Sequence, residues 1–381
     1  MSTEIVVASP EEKRLRAEIE KRSDPEGARM VRFLRMPDLS RTKKSPIEEL
    51  VQRIVALPDF KTFDVVQVPE IVPARESFDL FNFPPDHPAR SRSDTYYVND
   101  EYILRTHTTV MWYYYLGRPE VKEKITKGEP VGVLSYGKVY RKDEIDRKHM
   151  NIFHQMDGLY LCRREEREIG LNDLQDVLVK IAQAVYGKDI EEYRFNKDTF
   201  PYTDPSLEME IKVGGRWVEV LGSGVVQSKV LDNLGVDSKL YNGWAFGFGL
   251  ERLAILSMQL PDIRLLWSED ERVKRQLRLG NVYKEVSKYP PVTRDISFVV
   301  SADFAPNDYF DLIRDVGGDL VEEVSLLDKY ENEAKFGKGK ISYAYRVVYR
   351  SNERTLTNTE VDVMHRALEK RTTEEFGATV R

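Results

Sequence analysis

Apolar residues change their spacing several times along this chain, and each change marks an element. The first 45 residues carry no apolar stripe. Pro10 to Arg22 reads as a helix that is polar all round and Ser23 to Arg29 breaks it, so this stretch is expected at the periphery. Ser45-Pro46 opens a helix, serine as cap and proline in the first turn, with Leu50, Ile54 and Leu57 at helical spacing behind it. From Val65 to Val72 the pattern turns to that of a strand between Pro58, Pro69 and Pro73, and Asn82 to Arg90 is a proline-rich loop. Asp94 to Arg105 reads as two strands about an Asn99-Asp100 turn, and Val110 to Lys124 as a helix. Strands follow at 131–142, 152–161, 207–213 and 216–221, with two helices around 171–187 and one from Leu250 to Leu260. This order suits an antiparallel sheet flanked by helices better than alternating parallel βαβ units.

After a helix and linker at 261–285, Lys288-Tyr289-Pro290-Pro291 punctuates the chain and the pattern restarts. Strand 295–300, helix 306–317, strands 320–330 and 341–350, helix 357–376 and a short last strand make a β-α-β-β-α-β, ferredoxin-like unit. The expected fold class is α+β, with a charged arm at 1–44, a large domain at 45–265, a linker at 266–287 and a small domain at 288–381. The 381 residues, 41% hydrophobic and 32% charged, suffice for one large core and one small one. The net charge of −6 leaves any contact with nucleic acid to local patches. Cys162 is the only cysteine, which excludes an internal disulfide or a cysteine-rich zinc site and makes a reducing compartment the expectation. No apolar run is long enough to span a bilayer, and Met1 to Arg22 lacks the apolar core of a signal peptide. Cytoplasm is the expected location, with an organelle matrix as the alternative. Neither G-x-G-x-x-G nor a P-loop lysine occurs, which argues against a Rossmann or P-loop nucleotide site.

Two clusters carry chemistry. Gly137 to Asp143 and Phe153 to Gly158 read as two antiparallel strands joined by a charged loop that contains His149. Side chains two apart share a strand face, so Arg141 and Asp143, then Phe153, Gln155 and Asp157, present a guanidinium, a ring, an amide and carboxylates together. A solvated sheet face is the equal alternative from this segment alone. The second cluster is Asn242 to Leu253, where glycines at 243, 247 and 249 permit close approach. Arg252 sits in the first turn of the following helix, where a cation opposes the helix dipole and calls for an anionic partner. Phosphate would serve, and so would a nearby acidic side chain.

Set in order, Arg105 to Thr108, Val139 to Asp143, Phe153 to Gly158, Phe200 to Ser206, Val220 to Gly224 and Ala245 to Arg252 resemble the signature motifs of class II aminoacyl-tRNA synthetases, and among these the phenylalanyl family. Asn82 to Ala89 and Asp94 to Tyr97 agree. Tyr289-Pro290, Val292, Arg294-Asp295 and Phe376-Gly377-Ala378 resemble that family's ferredoxin-like anticodon-binding domain. A catalytic core fused directly to this domain is similar to the single-chain, organelle-type form, and the resemblance covers roughly 45–381.

The resemblance implies ATP and Mg2+ as cofactors and phenylalanine and tRNA(Phe) as partners, with no membrane, no second subunit and a monomer favoured. It implies that Arg141 and Arg252 are catalytic and that both, with Asp143, His149 and Phe153, bind ATP. His107, Thr109, Gln155, Asp157, Phe200, Tyr202 and Ala245 would hold the amino acid. One or more of Glu208, Glu210 and Glu219 would hold Mg2+, a structural ion pair being the equal alternative for each. Arg294, Lys338, Lys340, Arg346, Arg350 and Arg354 are candidates for tRNA phosphate contacts, against the alternative of a solvated sheet face. Tyr343, Tyr345 and Tyr349 are expected mostly in the core. Asp157 where the family has glutamate, Tyr202 for phenylalanine, Thr109 for serine and Trp112 for glutamine depart from the pattern, as does a short insertion at Gly117 to Glu129. They leave room for a shifted amino-acid choice. A tRNA-binding protein without ligase activity is the remaining alternative, against which the intact Arg141, Phe153, Gln155, Glu251 and Arg252 argue. No segment remains for an editing module.

Overall fold

Two units divide the chain, Met1–Tyr283 and Lys284–Arg381. The structure is a computed structural model and describes residues 4–142, 146–187, 192–213 and 215–381. The first unit contains strands β1 (Ile5–Val6), β2 (Asp64–Gln67), β3 (Ile71–Pro73), β4 (Tyr102–Leu104), β5 (Val131–Tyr140), β6 (Ile152–Arg163), β7 (Tyr193–Phe200), β8 (Thr203–Val213), β9 (Arg216–Val226) and β10 (Tyr241–Gly249). Its helices are α1 (Pro10–Glu20), α2 (Pro25–Arg35), α3 (Pro46–Val55), α4 (Ala74–Phe78), α5 (Met111–Leu116), α6 (Pro119–Thr126), α7 (Leu171–Tyr186), α8 (Ser228–Asn233), α9 (Leu250–Met258) and α10 (Glu271–Lys274). Eight strands form one sheet in the order β1-β2-β5-β6-β10-β9-β8-β7. The β1–β2 and β2–β5 pairings are parallel and the rest antiparallel. The fold is thus the antiparallel-rich α+β sheet expected, with a parallel margin that short strands could not announce.

Local chemistry explains the main elements. Ser45 Oγ accepts the Ile47 N–H at 3.2 Å and caps α3, whose Leu50, Val51 and Ile54 are buried. In α7, Leu174, Val177, Leu178, Ile181 and Val185 make one buried stripe, so a single helix stands where two were expected. Conversely, the helix expected over Val110 to Lys124 breaks at Gly117 and restarts at Pro119.

The first 44 residues are not a peripheral arm. Leu15 and Ile19 on α1 and Met30 and Phe33 on α2 are buried against Ile71, Tyr96, Leu104, Tyr140 and Ile152. Each helix buries a stripe only a few residues wide, and the charged remainder masks it in the sequence. Arg16 ties α1 down, pairing with Glu12 at 2.8 Å and with Glu70. Nor is 266–287 a simple linker: Val273, Leu277 and Leu279 are buried, and the Tyr283 N–H donates to Met258 O at 2.9 Å. No described helix is long and apolar enough to cross a membrane.

The second unit contains β11 (Val292–Ser301), α11 (Pro306–Gly317), β12 (Val321–Glu331), α12 (Glu333–Phe336), β13 (Lys340–Tyr349), α13 (Asn358–Phe376) and β14 (Thr379–Val380). Its sheet order β12-β13-β11-β14 is that of a ferredoxin-like fold. Thr357 and Glu360 form a capping box that starts α13, and Gly377, at φ 58°, ends it in the left-handed region. Tyr343, Tyr345 and Tyr349 lie in its core with Phe298 and Tyr309.

Candidate active site

One face of the large sheet is floored with small residues. Ala245, Gly247 and Gly249 on β10 stand opposite Leu159, Asp157 and Gln155 on β6. On the other side of β10, Ala245 and Gly247 face Gly224 and Gly222 of β9. Strand periodicity puts all of these on one face. The glycines are required by what lies over them. A Cβ on Gly247 would stand 2.8 Å from Asp157 Oδ1, and one on Gly222 would stand 2.9 Å from the Phe200 ring. The glycine cluster therefore makes a strand, β10, whose opposite face carries Trp244, Phe246 and Phe248.

Asp157 is buried in this floor. Thr109 Oγ1 donates to Asp157 Oδ1 at 2.7 Å and Thr108 Oγ1 to Oδ2, while Gln155 Oε1 accepts the Thr108 N–H at 3.3 Å. Among the described residues no side-chain cation pairs with Asp157. Burial pushes its carboxyl up to about 6, against the downward pull of the two threonine hydroxyls and Arg141. Around it stand aromatic walls. His107 stacks on Phe83 at 5.6 Å, Phe200 stacks on Tyr202 at 6.0 Å, and Tyr202 meets Trp112 edge-on at 5.9 Å and Phe81 at 6.4 Å. His107 Nε2 donates to Ser77 O at 3.2 Å, its Nδ1 has no partner among the described residues, and burial lowers the ring to about 3, so it is neutral. Burial holds the Tyr202 hydroxyl, which lies beside Thr109, un-ionised.

A second group lies where β5 and β6 run on. Arg141 Nε donates to Thr106 O at 2.9 Å, and its guanidinium lies 5.1 Å from the centre of the Phe153 ring. Arg252, in the first turn of α9, pairs with Glu219 at 3.1 Å and donates to Glu219 O at 3.2 Å, which supplies the anionic partner its position called for. Met209 stands opposite Leu221 while Glu210 stands opposite Glu219, so β9 has one extra residue there, a bulge that brings Glu219 and Glu210 across from each other. Asn196 Nδ2 donates to Glu208 at 3.0 Å and to Glu210 at 2.6 Å. His149 is half exposed and pairs with Asp146 at 2.9 Å. Asp143 lies outside the described residues.

Several of these groups carry only weak signals in the sequence. Thr108 sits inside the Arg-Thr-His-Thr motif, yet only its neighbours were assigned. Phe81 and Phe83 stand two apart where the proline-rich loop begins. His154 and Glu251 were seen within motifs but given no role. In the second unit the candidate cations are engaged by acids: Arg294 with Asp362 at 2.7 Å, Arg346 with Asp295 at 2.8 Å, Arg350 with Glu322 at 2.8 Å and Arg354 with Glu360 at 2.7 Å. Lys338 and Lys340 are exposed.

Comparison with known proteins identifies the family. Residues 33–277 match the family described as tRNA synthetases class II core domain (F), and residues 287–381 match the ferredoxin-fold anticodon binding domain. The mitochondrial phenylalanine–tRNA ligase of Mus musculus is 36% identical over 362 residues, covering 85% of this chain and 76% of that protein. That of Saccharomyces cerevisiae is 30% identical, covering 76% and 77%. The chloroplastic/mitochondrial enzyme of Arabidopsis thaliana is 39% identical, covering 71% and 62%. A solved pyrrolysyl-tRNA synthetase from Desulfitobacterium hafniense aligns at TM-score 0.46 and 18% identity, covering 68% of this chain and 80% of that one. The chain is a class II aminoacyl-tRNA synthetase. Within that class it belongs to the phenylalanine–tRNA ligases, with catalytic core and anticodon-binding domain in one polypeptide.

Proposed function

We infer that this protein activates phenylalanine with ATP and transfers it to the terminal adenosine of tRNA(Phe). The observation that carries the reading is Asp157: a buried carboxylate with no side-chain cation paired to it among the described residues, on a glycine floor, beside a cage of aromatic rings. Such a group calls for an ammonium, and the rings call for an aromatic side chain on the same molecule. Asp157 and Gln155 receive the substrate ammonium, His107 and Thr109 fix its setting, Phe200 and Tyr202 meet the ring, and Ala245 leaves room beneath it. The substrate carboxylate attacks the α-phosphorus of ATP, an acyl-adenylate forms and pyrophosphate leaves. Arg141 stabilises the charge that builds on the phosphoryl oxygens. Phe153 and Arg252 enclose the adenine, and Asp143 and His149 serve as further ATP-binding groups. The terminal ribose hydroxyl of the tRNA then attacks the carbonyl and AMP leaves.

Magnesium fits this donor set in one mode. No group of three or more metal-ligating side chains occurs among the described residues, so they offer no closed cage. Glu208, Glu210 and Glu219 would supply one or two carboxylates to an ion shared with the triphosphate, which is how Mg2+ is usually held. When bound, the ion neutralises phosphate charge. Arg294, Lys338, Lys340, Arg346 and Arg350 contact the tRNA, the arginines by exchanging acid partners for phosphate. The protein acts as a monomer without editing, and in an organelle matrix, in keeping with the names of its relatives, in place of the cytoplasm expected from the sequence.

The test is ATP–pyrophosphate exchange with each standard amino acid in parallel. Exchange led by phenylalanine supports the reading, and no exchange from folded protein with Mg2+ overturns it in favour of a tRNA-binding role. A second reading, a shifted amino-acid choice, rests on Tyr202 and on Trp112, whose buried indole nitrogen has no partner among the described residues. Exchange led by another amino acid would select it.

A further inference from the structure

His154 lies between two residues assigned to substrates, yet its side chain is fully buried away from them. Its backbone N–H donates to both oxygens of Glu251, at 2.9 and 2.8 Å. Its ring Nδ1 stands 2.6 Å from Glu251 Oε1. β10 ends its pairing with β6 at Gly249 opposite Gln155 and then turns into α9. The Glu251 carboxylate thus takes the place of the strand partner that His154 would otherwise lack. Nε2 faces Asp38 Oδ1 at 3.3 Å and the Leu39 N–H at 2.9 Å, and Trp267 stacks on the ring at 5.5 Å. Nε2 can donate to the first or accept from the second. Nδ1 faces a carboxylate in either case and keeps its proton. One imidazole therefore joins β6, the head of α9 and the segment after α2.

We propose that His154 is a positioning residue for nucleotide binding: through Glu251 it holds the first turn of α9 against β6 and so fixes Arg252 relative to Phe153. This rests on the assignment of those two residues to the adenine. Phe153 pairs only with Val139 of β5, whereas Gln155 is held on both sides, by Gly137 and Gly249. Loss of the link therefore loosens the nucleotide end and leaves the amino-acid end in place.

The experiment is exchange kinetics on the full chain with ATP and phenylalanine varied separately. His154→Gln is expected to raise KM for ATP about ten-fold while KM for phenylalanine moves less than about two-fold. Glu251→Gln, which keeps an acceptor for the amide but loses the charge, should give the same split, and the double variant should cost no more than the worse single one, because both break one contact. Equal rises in both KM values, a fall in kcat alone, or additive effects would overturn the proposal, and circular dichroism and melting of each variant exclude simple unfolding as the cause. Arg252→Ala tests the underlying assignment separately. An unchanged KM for ATP there would remove the nucleotide reading and the proposal with it, whereas a raised KM for ATP without the His154 split would remove the proposal alone.

Discussion

Strand β6 buries two ionisable side chains three residues apart, on opposite faces, and surrounds them in opposite ways. His154 has Glu251 and Asp38 against it: burial pulls its ring down, and the two carboxylates outweigh that and lift it to about 9. Asp157 has two threonine hydroxyls, and burial lifts it to about 6. The first group is neutralised within the fold; the second is left short of a charge. A buried charge with a partner is architecture, while a buried charge without one costs the free protein stability and awaits a ligand that brings the counter-charge. The difference separates a positioning group from a binding group along a single strand.

The comparison breaks most readily at Asp157. Asp157→Asn should raise KM for phenylalanine by roughly 100-fold, about 3 kcal/mol, because the substrate ammonium would then be buried without its partner. The free variant should melt higher than the parent above pH 6. The carboxyl ionises in the folded state at about 6, above its ordinary value of 3.8, so ionisation destabilises the fold at higher pH and the difference closes as pH falls below that window. In the parent protein, KM for phenylalanine should rise as pH falls through about 6, where Asp157 gains a proton. A variant that melts lower at pH 8, or binds phenylalanine unchanged, would place Asp157 with the structural groups.

His154 gives the opposite sign. Its folded value of about 9 lies above the ordinary 6.5, so its stabilising effect is complete below that ordinary value and is lost as pH rises through 9. The melting advantage of the parent over His154→Gln should therefore shrink between pH 7 and 10. The groups facing the ring are Asp38, itself paired with Arg41, Glu251, and Lys138 opposite on β5. A constant difference across that range would mean that the ring acts by packing and by its Nδ1 hydrogen bond alone.

These two groups also mark what the sequence could and could not tell. Asp157 was legible because alternation on β6 aligns it with Gln155 and Phe153, and the glycines at 247 and 249 signalled something close above them. His154 stood in the same motif, but alternation turns it to the other face, and its partners Asp38 and Glu251 are remote in sequence. The burial of the N-terminal helices failed to register for a related reason. Four apolar residues suffice to seat them, and the stripe lies under Glu11, Glu12, Arg14 and Arg16. The C-terminal unit was legible almost residue by residue, since its strands and helices are long, regular and separated by clear stops. What stayed illegible is contact made across distant segments, where neither period nor spacing carries information.

Tyr202 sharpens the comparison by a smaller step. Its hydroxyl lies beside Thr109, whose own hydroxyl donates to Asp157, so a second polar group borders the bond that holds the carboxylate. Tyr202→Phe removes only the hydroxyl and keeps the ring that stacks on Phe200. The expected cost is about 1 kcal/mol, a rise of a few-fold in KM for phenylalanine, with a slight upward movement of the pH at which that KM begins to climb. If the hydroxyl plays no part in setting Thr109, the variant will bind phenylalanine as the parent does. If instead KM rises as far as in Asp157→Asn, the hydroxyl itself touches the substrate, and the site is tuned for an amino acid with a polar ring.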